Sequence, residues 1–182
     1  KSDYGDVFTD LGLVDENGIQ YAYEGPFKLE NADYSSAKWF LEAKEKPFYI
    51  SDVFTGLRGH PHFIIAVKIN SDDSSYVLRS TINFGAFNSL VESIQIGKTG
   101  FAFIINANRQ LQTKRDIGFD PLITASTVDR NLYKNKKPFF SKKRDASGNQ
   151  YIVVASMLNN IDWVMVFQQD INDAFRNLRQ TQ

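Results

Sequence analysis

Residues 34–52 bring aromatic rings and one carboxylate close together in sequence: Tyr34, then Trp39 and Phe40 side by side, then Tyr49, Ser51 and Asp52. Ring faces attract cations, and a carboxylate receives an ammonium or hydroxyl group. Tyr34, Trp39 and Tyr49 could therefore form an aromatic wall around a small molecule, with Asp52 as its polar contact. The same residues also describe a plain aromatic core in which Asp52 caps a turn, and both readings stay open at this point. Trp39 and Phe40 are adjacent on a short helix and point about 100° apart around its axis. Both cannot point deep into one narrow core stripe, so one is expected to face a cavity.

Other groups carry less. His60 and His62 lie within Gly59-His60-Pro61-His62. No separated histidine is left to serve a nucleophilic serine, and no G-x-S-x-G elbow occurs. A hydrolase is disfavoured, and no catalytic residue is expected. The two histidines have no nearby acidic cluster to complete a metal site, so His62 reads as the start of a strand and His60 as loop, with no metal and no cofactor expected. Gly97-Lys98-Thr99 mimics part of a phosphate loop, but Glu92 stands where the first glycine would be. It reads as a turn. Residues 133–144 mix lysines and Arg144 with Tyr133, Phe139 and Phe140. They read as a solvated hairpin edge guarded by lysines. Single-stranded nucleic acid or anionic lipid headgroups are the alternatives that this mixture allows.

At 182 residues the chain has room for one large or two small cores. Basic and acidic residues balance at 21 each, which removes a global electrostatic case for nucleic acid. The distribution is uneven, with acids concentrated in residues 1–33 and bases in 129–144. There is no cysteine, which excludes disulfide scaffolds and thiolate chemistry. Apolar runs such as Phe63–Val67 and Trp163–Phe167 are of strand length, far short of the ~20 residues of a membrane span.

The elements that must position these side chains follow from periodicity. Asp15-Glu16-Asn17-Gly18 joins two β-prone runs, Leu11–Val14 and Ile19–Tyr23, into a hairpin. A short helix carries Trp39, Phe40 and Ala43. Strands are expected at Phe48–Asp52, His62–Ile69 and Tyr76–Ile82, forming an antiparallel meander. Phe87, Leu90, Val91 and Ile94 have helical spacing and join this part to a second series: Phe101–Ile105, Gln110–Thr113, Tyr151–Leu158 and Trp163–Phe167. Ile171, Ala174, Phe175 and Leu178 predict a final amphipathic helix. The expected class is α+β: two tandem units, 1–95 and 96–182, each a central antiparallel sheet flanked by helices.

Four stretches together resemble a known family: Tyr34–Ala43, Phe48–Gly56, Pro61–Val67 and Val77–Asn83. A second block, Ile96–Asn106 with Leu111-Gln112-Thr113, and the strand Asp162–Gln169 extend the match over nearly the whole chain. These residues are similar to the double Cache sensor domains of transmembrane histidine kinases and chemoreceptors. The resemblance implies two PAS-like units outside the cytoplasmic membrane, without enzymatic activity of their own, the distal one binding a small ligand between its sheet and a covering helix. It implies Tyr34, Trp39 and Phe40 from the helix, Tyr49 and Asp52 from the strand and loop behind it, and Asn83 from the returning strand, with Ser51, Phe54 and His62 completing the set. Ala37 stands where amino-acid-binding members carry an arginine, and Asn83 where they carry an acid. A small amine, carboxylate or other metabolite is therefore the expected ligand class. The resemblance further implies a homodimer in a longer, membrane-anchored receptor, of which this chain would be a piece, and no nucleic-acid partner.

Overall fold

Alternation of inward and outward side chains builds most of the molecule, since a strand with one covered face buries every second residue. The computed structural model describes residues 7–29, 31–57, 59–71, 74–114, 132 and 137–176. The chain divides into two compact units, 1–87 and 88–182, which part within a helix.

The first unit contains β1 (Phe8–Val14), β2 (Gln20–Glu24), α1 (Lys38–Glu45), β3 (Phe48–Ile50), β4 (Phe54–Thr55), β5 (Pro61–Asn70) and β6 (Ser75–Asn83). Its antiparallel sheet runs β2-β1-β6-β5-β3, with β4 pairing farther along β5. The expected meander of β3, β5 and β6 is present, and the N-terminal hairpin docks against β6 through Gly12↔Arg79 and Val14↔Val77. The hairpin turn forms as its composition predicts. Asp15 Oδ1 accepts from the N–H groups of Asn17 (3.0 Å) and Ile19 (2.8 Å), an Asx-type closure.

α1 explains the adjacent aromatics. Trp39, Ala43 and Phe40 fall within an arc of about 100° on the helical wheel, the width of an ordinary core-facing stripe. Both rings are buried, Trp39 at 5% and Phe40 at 1% exposure. They pack with Tyr34, Val14, Ile64, Ala66 and Val77.

The second unit opens within α2 (Phe84–Glu92) and contains β7 (Phe101–Ile105), β8 (Phe139–Arg144), β9 (Gln150–Met157), β10 (Val164–Asp170) and α3 (Ile171–Ala174). The strands order as β7-β10-β9-β8. Phe103, Ile105, Leu132, Val153, Ala155, Val164 and Val166 form its core. The strand expected at Gln110–Thr113 is reduced to one bridge, Leu111 to Ile105. α2 begins at Phe84, earlier than the periodicity of its apolar residues suggested. Of the basic stretch, residues 133–136 lie outside the described residues. Within the remainder, Phe139–Arg144 forms the sheet edge β8, with Phe140, Lys142 and Arg144 exposed on one face. Leu178 of the expected final helix also lies outside the described residues.

The Gly97-Lys98-Thr99 turn does cradle an anion, but the anion is the chain's own Asp173. Oδ2 of Asp173 accepts from the N–H groups of Lys98 (2.7 Å) and Thr99 (2.8 Å), the Thr99 hydroxyl (2.9 Å) and Gln169 Nε2 (3.3 Å). Gly97 has φ of +69°, and a Cβ there would lie 2.7 Å from that oxygen. The Thr99 N–H bond contributes most to holding the Asp173 carboxyl far below the usual carboxylate range. Desolvation opposes it, and the Thr99 hydroxyl, Lys98 N–H and Gln169 amide add to the lowering. A folded-state value below the unfolded one gives a stability contribution that is complete above the unfolded pKa, near pH 4. It is lost as pH falls through the folded-state value. Asp173→Asn is therefore expected to flatten the acid limb of the stability profile below about pH 4. Parallel acid limbs for the two proteins would contradict this.

Candidate functional site

The inner face of the six-stranded sheet presents Asp10, Gly12 and Val14 from β1 beside Val77, Arg79 and Thr81 from β6, as their registers require. From β5 it adds His62, Ile64 and Ala66. The face grades from apolar beneath α1, through a charged centre, to a polar end at Thr81 and His62.

Arg79 lies at that centre and is 1% exposed. Such burial is tolerable only with a partner and further hydrogen bonds. Arg79 Nη1 donates to Asp10 Oδ1 (2.7 Å) and Thr81 Oγ1 (3.1 Å), and Nη2 donates to Gln20 Oε1 (2.5 Å) and the Tyr34 hydroxyl (3.2 Å). The Tyr34 and Tyr23 rings lie 5.2 and 5.8 Å from the guanidinium carbon, within cation–π range. Arg79 Nε is buried without a hydrogen-bond partner. It lies beside Gly12, where a Cβ would sit 3.0 Å from both Nε and Cζ, so glycine leaves the room that the guanidinium occupies. Gln20 Nε2 also donates to the Leu29 carbonyl, tying the covering loop to the same network.

At the polar end a cavity of about 300 Å³ opens. Thr9 and Thr81 contribute to it from β1 and β6, and His60, Pro61 and His62 from the entry to β5. Asn83, Phe84 and Gly85 border it at the β6–α2 junction, and Phe27 comes from the loop after β2. The buried pair helps to set two of these walls. Thr81 bonds Arg79 directly, and Asp10 accepts from the Tyr23 hydroxyl (3.4 Å), which in turn accepts from the Phe27 N–H (3.2 Å). His62 is buried, and its Nδ1–H donates to the His60 carbonyl (2.7 Å). Phe54 lies against the His62 ring with centroids 4.5 Å apart.

Of the nine residues expected from the sequence, His62 and Asn83 border this cavity, and Phe54 backs His62. Asn83 also caps α2, its Oδ1 accepting from the Ala86 N–H (3.0 Å). Tyr34, Trp39 and Phe40 are part of the core, in edge-to-face contacts of 5.1 and 6.0 Å. Ser51 is structural. Its hydroxyl accepts from the Ile64 N–H and donates to the Asp52 carbonyl, both at 2.9 Å, bridging the gap between β3 and β4. Tyr49 and Asp52 are half-buried. Burial, with the Glu42 and Asp52 carboxylates, raises the Tyr49 phenol above its ordinary pKa. Sequence reasoning missed Asp10, Arg79, Thr81, Phe27 and Phe84. A signal existed for two of them: Asp10 and Arg79 occupy inward positions of alternating strands, where a charge demands a partner.

Among the described residues, no group of three or more His, Asp or Glu side chains is placed to hold a metal. No described helix is long and apolar enough to cross a membrane.

Neither a protein-family model nor a curated protein sequence matches the chain. Solved structures match its fold. The extracellular domain of mmHK1S-Z3, classed as a histidine kinase, aligns with a TM-score of 0.72 at 12% identity, over 98% of this chain and 78% of that one. The ligand-binding domain of the Pseudomonas aeruginosa amino acid chemoreceptor PctB, in complex with L-Arg, aligns at 0.67 and 16% identity, over 99% and 73%. That of the Pseudomonas fluorescens chemoreceptor CtaA, in complex with L-leucine, aligns at 0.67 and 16%, over 92% and 73%. At these identities the likeness establishes architecture: the chain has the α+β, Cache-like fold of extracellular sensor domains, as its resembling stretches implied.

Proposed function

We propose that this chain is the extracytoplasmic input domain of a transmembrane receptor, binding a small molecule in its first unit and carrying out no chemistry itself. The observation that carries the reading is the cavity on the inner face of the first sheet, bordered by His62 and Asn83, within a fold shared with ligand-binding sensor domains. In this reading the first unit is membrane-distal and the second membrane-proximal. His62, Asn83 and Phe54 act at the ligand. Trp39, Phe40 and Tyr34 hold the covering helix, and Tyr49, Ser51 and Asp52 shape the loop beside it. The ligand acts through its differential affinity for two conformations, and the helix beginning at Ile171 carries the shift onward to the membrane. The receptor is a homodimer anchored in the membrane.

A histidine kinase is the first choice of output. A chemoreceptor is the second, because PctB and CtaA are chemoreceptors of the same fold.

A thermal-shift screen of amino acids, organic acids, amines and neutral metabolites tests the reading. A compound that binds only the folded state stabilises it by about 2.7 kcal/mol at a concentration one hundred times its Kd. At least one compound is expected to give a saturable rise in Tm that His62→Ala removes. A panel without any saturable shift, or shifts indifferent to His62→Ala, would count against a sensor site here.

A further inference from the structure

The sensor reading leaves the chemistry of the ligand open, and the cavity walls narrow it. The cavity is half open to solvent, and a zwitterion or ion that gives up water against its walls needs countercharges or several oriented donors there. Among the described residues, the walls of this cavity carry no Asp, Glu, Lys or Arg. Behind Thr81, Arg79 and Asp10 neutralise each other at 2.7 Å, and Arg79 reaches the wall only through its bond to Thr81 Oγ1. What the walls offer is apolar surface from Phe27, Phe84 and Pro61, with hydrogen-bonding groups at a few points. Thr9 supplies a hydroxyl, His60 and His62 supply imidazoles, and the buried Thr81 hydroxyl is already engaged by Arg79. Asn83 uses Oδ1 on Ala86 and retains its NH2 as a donor.

Resting on the sensor reading, we propose that the cavity at the His62 end of the first sheet takes an uncharged small molecule. Its ligand has an apolar ring or branched body with one or two hydrogen-bonding groups, such as a primary amide, alcohol or phenol. A zwitterionic amino acid, of the kind bound by PctB and CtaA, is disfavoured because the described side chains of the walls include no carboxylate for its ammonium group. The volume of about 300 Å³ stands at the small end of ligand sites, which suits a single ring with a short substituent.

The test uses four probes that share one ring and differ in charge: benzamide, benzoate, benzylamine and L-phenylalanine. Binding is measured by calorimetry and thermal shift at pH 8, above the ordinary imidazole range. Benzamide is expected to bind at least tenfold more tightly than the other three. Asn83→Asp keeps an oxygen to cap α2 and adds a negative charge to the wall. It is expected to improve benzylamine binding at least tenfold and to weaken benzoate, a reversal that a purely structural role for Asn83 would not produce. If benzoate, benzylamine or phenylalanine matches benzamide on the unaltered protein, the uncharged class is wrong while the sensor reading stands. If Asn83→Asp folds normally and leaves the order unchanged, or if none of the four binds, this cavity is not the ligand site. The sensor reading is then judged by the metabolite screen alone.

Discussion

Replacing Asp10 with alanine is expected to cost about 3–5 kcal/mol of stability, because it leaves the Arg79 guanidinium buried without its carboxylate. Both side chains are almost fully buried, and the pair is 2.7 Å apart. Gln20, Thr81 and Tyr34 would still accept or share hydrogen bonds, but none of them carries the compensating charge. The double replacement Asp10→Leu with Arg79→Met removes both charges together. It is expected to recover most of the loss, since an apolar substitute for a buried pair is often neutral or better. Urea unfolding of the unaltered protein, Asp10→Leu, Arg79→Met and the double variant closes a double-mutant cycle. A single variant that loses under about 1 kcal/mol, or a double variant as unstable as the single one, would contradict the assignment of a buried pair that must be balanced. A second consequence follows from the bond between Asp10 and the Tyr23 hydroxyl. Asp10→Ala releases the Tyr23–Phe27 contact and so loosens one wall of the cavity.

Trp39→Ala is expected to destabilise the protein by about 3–5 kcal/mol, the range for removing a large aromatic from a packed core. The indole is 5% exposed and meets the rings of Tyr34 and Phe40 edge to face, a geometry that adds to simple burial. Trp39→Phe keeps a ring in the same stripe of α1 and should cost less than half as much. Denaturant unfolding separates the two. A loss below about 1 kcal/mol for the alanine variant would mean that the indole faces open space. The consequence for ligand studies is direct: a loss of binding in Trp39→Ala does not identify a ligand contact, because the covering helix itself is undermined.

Much of this arrangement was legible in the sequence. The hairpin could be read from Asp15-Glu16-Asn17-Gly18, and the strands β5 and β6 from their runs of β-forming residues. The fold class could be read from the order of the resembling stretches. What escaped has physical reasons. Adjacent aromatics on α1 suggested two directions and therefore a cavity, but with Ala43 they fill one stripe of ordinary width. Asn83 was legible as a polar residue at a strand end. Its part as the cap of α2 depended on placing the helix start at Phe84, and the apolar spacing there begins only at Phe87. The pairing of Asp10 with Arg79 spans 69 residues. No local pattern reports such a contact, because it depends on the hairpin docking beside β6. The Gly97-Lys98-Thr99 segment was legible as a turn, but the group it holds, Asp173, lies 74 residues beyond Thr99 and left no mark near it.

The central claim is that the first unit holds a small molecule at the His62 end of its sheet, and mapping a stabilising compound onto the backbone tests it most directly. Amide chemical shifts recorded across a titration of the best compound from the thermal screen should move at His60, His62, Thr81, Asn83 and Gly85, and saturate together. The amides of β7 and β10 should stay in place. Shifts that instead centre on residues 101–105 and 164–170, with His62 and Asn83 unmoved, would locate the ligand in the second unit and contradict the account.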